Sequence, residues 1–416
     1  MDLFDKCKDN DLMALVQWGH DEDVYPYFHE ITSKQHSEVT IGGRRTIMLG
    51  SNNYMGLTSD KRVIKAAVKA LKEYGSGCSG SRFLNGTLSL HIKLEEELAR
   101  FTGFGDVMTF STGFQTNLGI IGTVCGRGDY ILADRGNHAS LVDAARLSFA
   151  KTIKYDHNDM ADLEEQLKSL PLEAPKLIVT DGVFSMEGDL ANIPELVRLK
   201  KLYNARLMVD DSHGLGVMGK TGRGTAEYYG VAGGIDILMG TFSKSLASLG
   251  GFMAADAFVI DYCRHASRPF IFSASIPPSN AAAALEALRI IESEPWRLKR
   301  VLENADYMRN GLKRLNIPIG DSIAPIIPIN TYFSDRTYRI TKALLDSGVY
   351  VNPVIPPAVP EGQTILRTSL VATHTIEQLD YALEAFDKVF NKMMPLTTAQ
   401  KEMINAPPPC APYTNA

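Results

Sequence analysis

A single lysine, Lys244, follows an apolar run in the stretch 236–251, which reads DILMGTFSKSLASLGG. The apolar part, Ile237–Met239, predicts a strand that is buried on both faces. A lysine just past such a strand lies at the carboxyl edge of an α/β sheet, where ligands bind. Desolvation and nearby cations can lower the pKa of its amine there, which makes the amine a nucleophile toward carbonyl groups. A solvated surface lysine is the structural alternative, but the neighbouring side chains are small or apolar.

Two further segments place polar side chains just past predicted strands. Asp210 ends the apolar run 207–210, and His213 follows three residues later. A buried carboxylate needs a cationic partner, and a protonated pyridine nitrogen is one candidate. The alternative interpretations are that Asp210 caps a helix or that it forms a metal-binding pair. His138 opens a helix past another strand, although a lone histidine is more often structural. No second ligand cluster supports a metal site, and no GxSxG elbow supports a serine hydrolase.

A strand, a small polar turn and a helix start follow one another over residues 110–117, FSTGFQTN. Free amides and hydroxyls at a helix N-terminus form a natural phosphate site, although many such turns bind nothing. A lysine for covalent attachment, an acid for a ring nitrogen, a phosphate cup and a histidine for stacking fit one cofactor, pyridoxal 5′-phosphate (PLP). The sequence therefore favours PLP.

The elements that position these residues alternate between strand and helix. Six strands are predicted, at 106–110, 130–133, 152–155, 177–181, 207–210 and 237–239, and the stretches between them have helical spacing. This alternation predicts an α/β fold with a mostly parallel, doubly wound sheet. The GxGxxG pattern at 75–80 follows a helix rather than a strand, so it is interpreted as a pocket loop. Four parts are expected, namely an N-terminal segment (1–50), a large domain (51–294), a smaller α+β domain (295–396) and a disordered tail (397–416).

Composition sets the outer limits on function. The 416 residues are 45% hydrophobic and 22% charged, with a net charge of -5, which gives no support for nucleic-acid binding. Five cysteines occur without CxxC spacing, as is typical of a reducing compartment. The polar N-terminus lacks a signal core, and no uncharged apolar run approaches the ~20 residues of a membrane span. A soluble cytoplasmic protein is expected.

Several motifs resemble those of the fold-type I α-oxoamine synthases, and most of all those of the bacterial serine palmitoyltransferase branch. They are DDSHGLG at 210–216, GTFSKS at 240–245, GSGCSGSRFLNGT at 75–87, GVFSMEGD at 182–189 and RPFIFSASIPPS at 268–279. The resemblance extends from about Tyr25 to Phe390. It implies a PLP-dependent homodimer with shared active sites that condenses L-serine with palmitoyl-CoA and releases CoA and CO₂. A peripheral membrane contact for the lipid product is a further expectation.

The resemblance also implies a role for each matching residue. Lys244 would hold PLP and move the Cα proton, Asp210 would pair with the ring nitrogen, and His213 with the ring hydroxyl. His138 would stack on the ring and orient the substrate carboxylate. The phosphate would be bound by Gly113, Phe114, Thr241 and Ser243, with Ser273 of the partner subunit, and the amino-acid site would be lined by Asn53, Ser81, Ser185 and Arg367.

One position departs from the serine palmitoyltransferase pattern. Ile355 stands where an arginine is expected before Pro356-Pro357, which leaves Arg367 as the main guanidinium for the carboxylate. An 8-amino-7-oxononanoate synthase using alanine and a 2-amino-3-ketobutyrate ligase using glycine therefore stay open. A PLP aminotransferase or lyase would be expected to lack the 75–87 loop. A non-catalytic family subunit would be expected to lack Lys244.

Overall fold

The computed structural model describes residues 2–8, 10–360 and 362–405. Its helices are α1 (Asp11–Asp21), α2 (Lys61–Tyr74), α3 (Ser89–Thr102), α4 (Gly113–Val124), α5 (Ala139–Leu147), α6 (Met160–Lys168), α7 (Ile193–Leu202), α8 (Thr225–Tyr228), α9 (Ala257–Ala266), α10 (Arg268–Ile271), α11 (Pro278–Ser293), α12 (Trp296–Arg314), α13 (Ser334–Asp346), α14 (Ile376–Asp387) and α15 (Thr398–Asn405). Its strands are β1 (Glu38–Ile41), β2 (Arg44–Met48), β3 (Asp106–Phe110), β4 (Tyr130–Asp134), β5 (Lys151–Tyr155), β6 (Lys176–Asp181), β7 (Arg206–Asp210), β8 (Ile237–Thr241), β9 (Gly251–Ala255), β10 (Ile326–Asn330), β11 (Val349–Tyr350), β12 (Asn352–Val354) and β13 (Ile365–Ser369).

A seven-stranded sheet in the order β3-β9-β8-β7-β6-β4-β5 forms the centre of the molecule. All its pairings are parallel except those of β9, which runs antiparallel to both β3 and β8. Helices cover both faces, so every residue of β6, β8 and β9 is buried. The α/β fold and the six predicted strands are confirmed.

The sequence analysis missed β9, because its five apolar and small residues follow β8 after a turn of residues 242–250 that contains no helical crossover. Gly250 makes that turn possible, since its φ is +135° and a Cβ there would lie 2.7 Å from the Phe242 ring. Only glycine adopts this conformation readily. The antiparallel return brings Gly251 beside Thr241, at the same edge of the sheet as the functional residues.

Register aligns the carboxyl ends of the three central strands. Asp181 of β6 pairs with Asp210 of β7, which in turn pairs with Met239 of β8. The residues that follow these strands therefore emerge at one edge, as the alternating pattern predicted. Lys244 comes three residues after the end of β8.

Two three-stranded sheets lie outside the central one, β1-β2-β11 and β10-β13-β12. β1 and β2 form an antiparallel hairpin, and β2 also pairs in parallel with β11. The N-terminal segment thereby joins the chain's C-terminal part. Arg367 lies in the middle of β13, opposite Pro328 on one side and Asn352 on the other.

The expected domain division near 294 stays a prediction that the helix packing favours, because α11 packs on α2 and α3 whereas α12 packs on α14. α14 is followed by a π-helical turn at Lys388–Met393. Disorder was predicted for 397–416, but Thr398–Asn405 form a helix, and Thr397 and Gln400 form a reciprocal capping pair at its first turn. Residues 406–416 lie outside the described residues.

Within the described ranges, every helix is too short or too polar to cross a lipid bilayer.

Candidate active site

A cleft of about 270 Å³ opens at the carboxyl edge of the central sheet. It is bounded by the ends of β6, β7 and β8 and by the N-termini of α4 and α5. Its lining includes Thr112, Gly113, Phe114, Asn117, His138, Ser140, Asp181, Asp210, Ser212, His213, Met239, Thr241, Ser243, Lys244 and Leu249. Eight of the thirteen residues predicted for the site therefore share one cavity.

Asp210 is held in a fixed orientation inside the cleft. Its Oδ2 accepts a hydrogen bond of 2.7 Å from Asn117 Nδ2, and its Oδ1 accepts one of 3.1 Å from the Ser212 amide. The next residue, Asp211, points elsewhere and accepts from the Thr225 amide at 2.6 Å. Successive residues at a strand end face opposite sides, which explains why only one of the two aspartates reaches the cleft.

The sequence analysis gave Asn117 no role. The side-chain amide donates both its hydrogens, one to Asp210 and one to Ser140 Oγ at 2.9 Å. Asn117 comes four residues after Gly113, on the same face of α4, so helical spacing from the phosphate turn was the signal that could have found it.

Burial lowers the pKa of Lys244 to about 8, although Asp210 and Asp181 act to raise it and Arg367 adds to the lowering. Desolvation outweighs the two carboxylates because the amine lies where little water can solvate an ammonium ion. Near neutral pH the neutral, nucleophilic form of this amine is thus far more populated than for an ordinary lysine. Asp181 responds in the opposite direction, since burial and the neighbouring Asp210 raise its pKa well above the usual range.

His138 caps α5 and faces the cleft. Its backbone amide donates to Asp181 Oδ2 at 2.8 Å, and its Nδ1 lies 2.7 Å from Ser140 Oγ. Desolvation lowers the pKa of His138; Lys244 acts in the same direction, and Asp210 opposes both. A neutral, flat imidazole therefore lies next to Asp210, anchored at both its backbone and its ring.

The opposite end of the cleft collects donors for an anion. The first turn of α4 begins at Gly113 after the N-cap Thr112, so its leading amides lack helical partners. Thr241 Oγ1 and Ser243 Oγ lie 2.9 Å apart on the facing loop. A Cβ at Gly113 would stand 2.9 Å from Thr241 Oγ1, so glycine keeps this cup open.

A buried polar cluster adjoins the cleft behind His213. The Arg367 guanidinium donates to the Ser185 carbonyl, to Asn52 Oδ1 at 3.0 Å and to Ser369 Oγ at 2.9 Å. Its Nη2 also reaches the Tyr54 hydroxyl at 3.5 Å, and that hydroxyl lies 2.7 Å from His213 Nδ1. Burial lowers the pKa of His213 well below its usual range, and Lys244, Arg367 and His138 act in the same direction.

The remaining predicted residues lie outside the lining of this cleft. Asn53 accepts the amides of Leu57 and Thr58, whereas its neighbour Asn52 contacts Arg367. Ser185 meets Arg367 only through its carbonyl. Ser81 is buried in the 75–87 loop, and Ser273 lines a second small cavity with Ser111.

Ile355 is buried rather than aimed at the site. It packs in an apolar cluster with Val24 and Tyr338, against the partly buried side chains of Leu15, Trp18, Tyr25 and Tyr27. This position therefore fastens the 355–360 loop to the N-terminal segment.

Comparison with known proteins agrees with this geometry. The family model for class I and II aminotransferases matches residues 44–386. A serine palmitoyltransferase from Bacteroides thetaiotaomicron is 53% identical over 89% of this chain and 94% of its own, and one from Sphingobacterium spiritivorum is 52% identical over 91% and 95%. The chain belongs to the class I and II aminotransferase family, in its α-oxoamine synthase branch.

Solved structures and a second group of relatives place it within that branch. A serine palmitoyltransferase from S. paucimobilis with bound PLP–myriocin superposes with a TM-score of 0.91 at 38% identity, over 94% of this chain and 98% of the other. An 8-amino-7-oxononanoate synthase from Thermosipho melanesiensis is 41% identical over 89% of this chain and 95% of its own. This α-oxoamine synthase is thus a PLP-dependent acyltransferase.

The residues present fit PLP. The open cup at Gly113 matches a phosphate, the fixed Asp210 carboxylate matches a protonated ring nitrogen, and the low pKa of Lys244 matches covalent attachment to an aldehyde. Neutral His138 provides a flat surface for the ring.

Proposed function

We propose that this enzyme condenses L-serine with palmitoyl-CoA to give 3-ketosphinganine, CoA and CO₂, the first step of sphingolipid synthesis. The structural observation that supports an amino-acid substrate is Arg367, a guanidinium only 5% exposed that lies beside the cleft, and the relatives named serine palmitoyltransferase support serine and palmitoyl-CoA. Its protein partners are a carbonyl, an amide oxygen and two hydroxyls, and no described Asp or Glu pairs with it.

A buried cation without a carboxylate calls for an anionic partner. Two other buried arginines have one, Arg82 with Glu95 at 2.6 Å and Arg297 with Glu294 at 2.7 Å, whereas buried Arg336 donates to backbone carbonyls. Arg367 is close enough to lower the pKa of both Lys244 and His213. The carboxylate of a substrate would supply the missing negative charge. Its binding there would bring the substrate α-carbon next to the Lys244 amine.

Bound PLP supplies an electron sink that stabilises negative charge at the α-carbon of an attached amino acid. Asp210, fixed by Asn117 and the Ser212 amide, would keep the ring nitrogen protonated. Lys244, with a pKa of about 8, would accept the α-proton and later return one to the same carbon. Between these transfers the α-carbon would bond to the carbonyl carbon of the thioester, and the C–S bond would break so that CoA leaves as its thiolate. The bond to the carboxylate would then break to release CO₂.

The other cleft residues would orient the reactants. Gly113, Phe114, Thr241 and Ser243 would bind the phosphate, and His138 would stack on the ring and share the carboxylate with Arg367. His213 would donate to the ring hydroxyl. Because the bond that breaks must stand perpendicular to the ring, a clamp that fixes the carboxylate at two points sets which bond reacts.

We also propose that the enzyme works as a homodimer. Ser81 and Ser273 lie outside the cleft of their own chain, on neighbouring segments joined by a 3.0 Å bond from the Ser275 amide to the Gly80 carbonyl. The 75–87 loop is tied down by the Arg82–Glu95 ion pair, and Phe83, Leu84 and Phe272 stay exposed around it. A second subunit that covers these apolar side chains would receive Ser81 and Ser273 in its own site.

One assay separates the substrates. Purified enzyme with PLP is given L-serine, glycine or L-alanine, each with palmitoyl-CoA or pimeloyl-CoA, and CoA release and the lipid product are measured. We expect serine with palmitoyl-CoA to give the highest kcat/KM. Turnover of alanine with the pimeloyl donor, and none with serine, would refute the proposal in favour of an 8-amino-7-oxononanoate synthase, which the relatives of that name make the second candidate.

A further inference from the structure

Tyr54 lies between His213 and Arg367. It is not part of the cleft lining, and it is not among the residues predicted from the sequence. Its side chain is fully buried, in the turn between β2 and α2. The turn is fixed by the Ala372 amide, which donates to the Tyr54 carbonyl at 2.7 Å. The tyrosine ring packs edge to face against the His213 imidazole, with centroids 6.0 Å apart.

The hydroxyl of Tyr54 has several polar neighbours, among them Ser369, which acts to lower its pKa. His213 Nδ1 lies at 2.7 Å, Asn52 Oδ1 at 3.4 Å and Arg367 Nη2 at 3.5 Å. Arg367 is a donor only, so it occupies a lone pair of the phenol oxygen. The phenol has a single proton to give, and the much shorter contact is the one to His213.

Both members of the short contact are neutral. Burial raises the pKa of Tyr54, against the opposing effect of Arg367. The groups that face His213 from other elements are Lys244, Arg367 and His138, and all three disfavour an imidazolium. A neutral imidazole that accepts at Nδ1 carries its proton on Nε2.

We infer that Tyr54 is a positioning residue that holds His213 as its Nε2–H tautomer, so that the imidazole presents a donor, and not a lone pair, to the ring hydroxyl of PLP. A donor at that place stabilises the ionised oxygen of the ring, and an acceptor repels it. The same hydroxyl connects His213 to Arg367, so the carboxylate clamp and the ring contact share one fixed element. The inference rests on the role proposed for His213 and is independent of which amino acid the enzyme uses.

The test compares Tyr54→Phe with Tyr155→Phe in the PLP-loaded enzyme. Tyr155 is also fully buried, at the end of β5, and within the described residues its hydroxyl makes no hydrogen bond to His213, Asn52 or Arg367. The visible absorbance of the bound cofactor is followed against pH, together with kcat and KM for the amino acid. For Tyr54→Phe we expect the midpoint of the absorbance change to rise by one pH unit or more and kcat to fall about tenfold, with KM changed less than threefold.

The KM of Tyr54→Phe is expected to stay nearly unchanged because Arg367 keeps its contacts with Ser185, Asn52 and Ser369. In a His213→Gln background, Tyr54→Phe should have no further effect on the absorbance midpoint, because the tautomer it controls is gone. Tyr155→Phe should leave the midpoint within about 0.3 pH unit, a twofold change in the acid constant, and kcat within twofold of the unmodified enzyme. A Tyr54→Phe midpoint that also stays within that range, or effects that add in the double variant, would overturn the inference.

A measurement on the unmodified enzyme covers the case in which Tyr54→Phe fails to fold. With ¹⁵N-labelled histidine, the ring signals assigned to His213 through their loss in His213→Gln should show a protonated Nε2 and an unprotonated Nδ1. The opposite pattern would refute the inference. These readouts need PLP but no turnover, so failure of the serine assay and failure of this inference are distinguishable.

Discussion

The low pKa of Lys244 makes a quantitative prediction about the protein without cofactor. With a pKa of about 8 in place of 10.5, roughly one amine in ten is neutral at pH 7, against roughly one in three thousand for an ordinary lysine. Lys244 should therefore capture an aldehyde roughly 300-fold faster than an exposed lysine at that pH. The rate should rise with pH and level off above about 8.

Stopped-flow absorbance of PLP mixed with the cofactor-free protein measures this rate between pH 6 and 10, and borohydride reduction followed by peptide mass analysis locates the attachment. Lys176 is the matched control, because it is also buried but its Nζ donates to the carbonyls of Pro171, Leu172 and Ala174 at 2.7–3.0 Å. Lys244→Ala should lose covalent attachment and Lys176→Met should keep it. A midpoint near 10, or label on Lys176, would refute the reasoning.

Three other variants test the supports of the site. Asn117→Ala removes a bond to a charged carboxylate, so the Kd for PLP in a fluorescence titration should rise at least tenfold, about 1.5–3 kcal/mol; an unchanged Kd would mean that Asp210 needs no such support. Arg367→Lys should raise the KM for the amino acid roughly tenfold in steady-state kinetics and change kcat less, because one ammonium cannot replace a forked guanidinium; an unaltered KM would remove Arg367 from the clamp. Ile355→Arg should lower the free energy of unfolding in urea by about 3 kcal/mol, because it buries an unpaired charge, whereas Ile355→Val should cost about 1; equal stability of the two would contradict the apolar cluster.

Local sequence determined much of the cofactor site. The strands before Gly113 and Lys244 and the strand that ends at Asp210 have apolar centres, and small or polar residues follow within one or two positions. In a sheet of parallel strands such breaks fall on one edge, so order along the chain was enough to gather these residues. Apolar runs and helical spacing are short-range properties of the sequence, which is why the predicted strands are confirmed.

Only the tertiary structure decided what supports that site. Asn117 meets Asp210 across 93 residues, Tyr54 meets His213 across 159, and Asn52 meets Arg367 across 315. Helical spacing places Asn117 on the same face as Gly113, but its contact with Asp210, like the contacts of Tyr54 and Asn52, depends on segments that are far apart in the chain. Burial determined two further properties of the site. The low pKa of Lys244 and the inward packing of Ile355 arise from desolvation by elements that no local window of sequence contains.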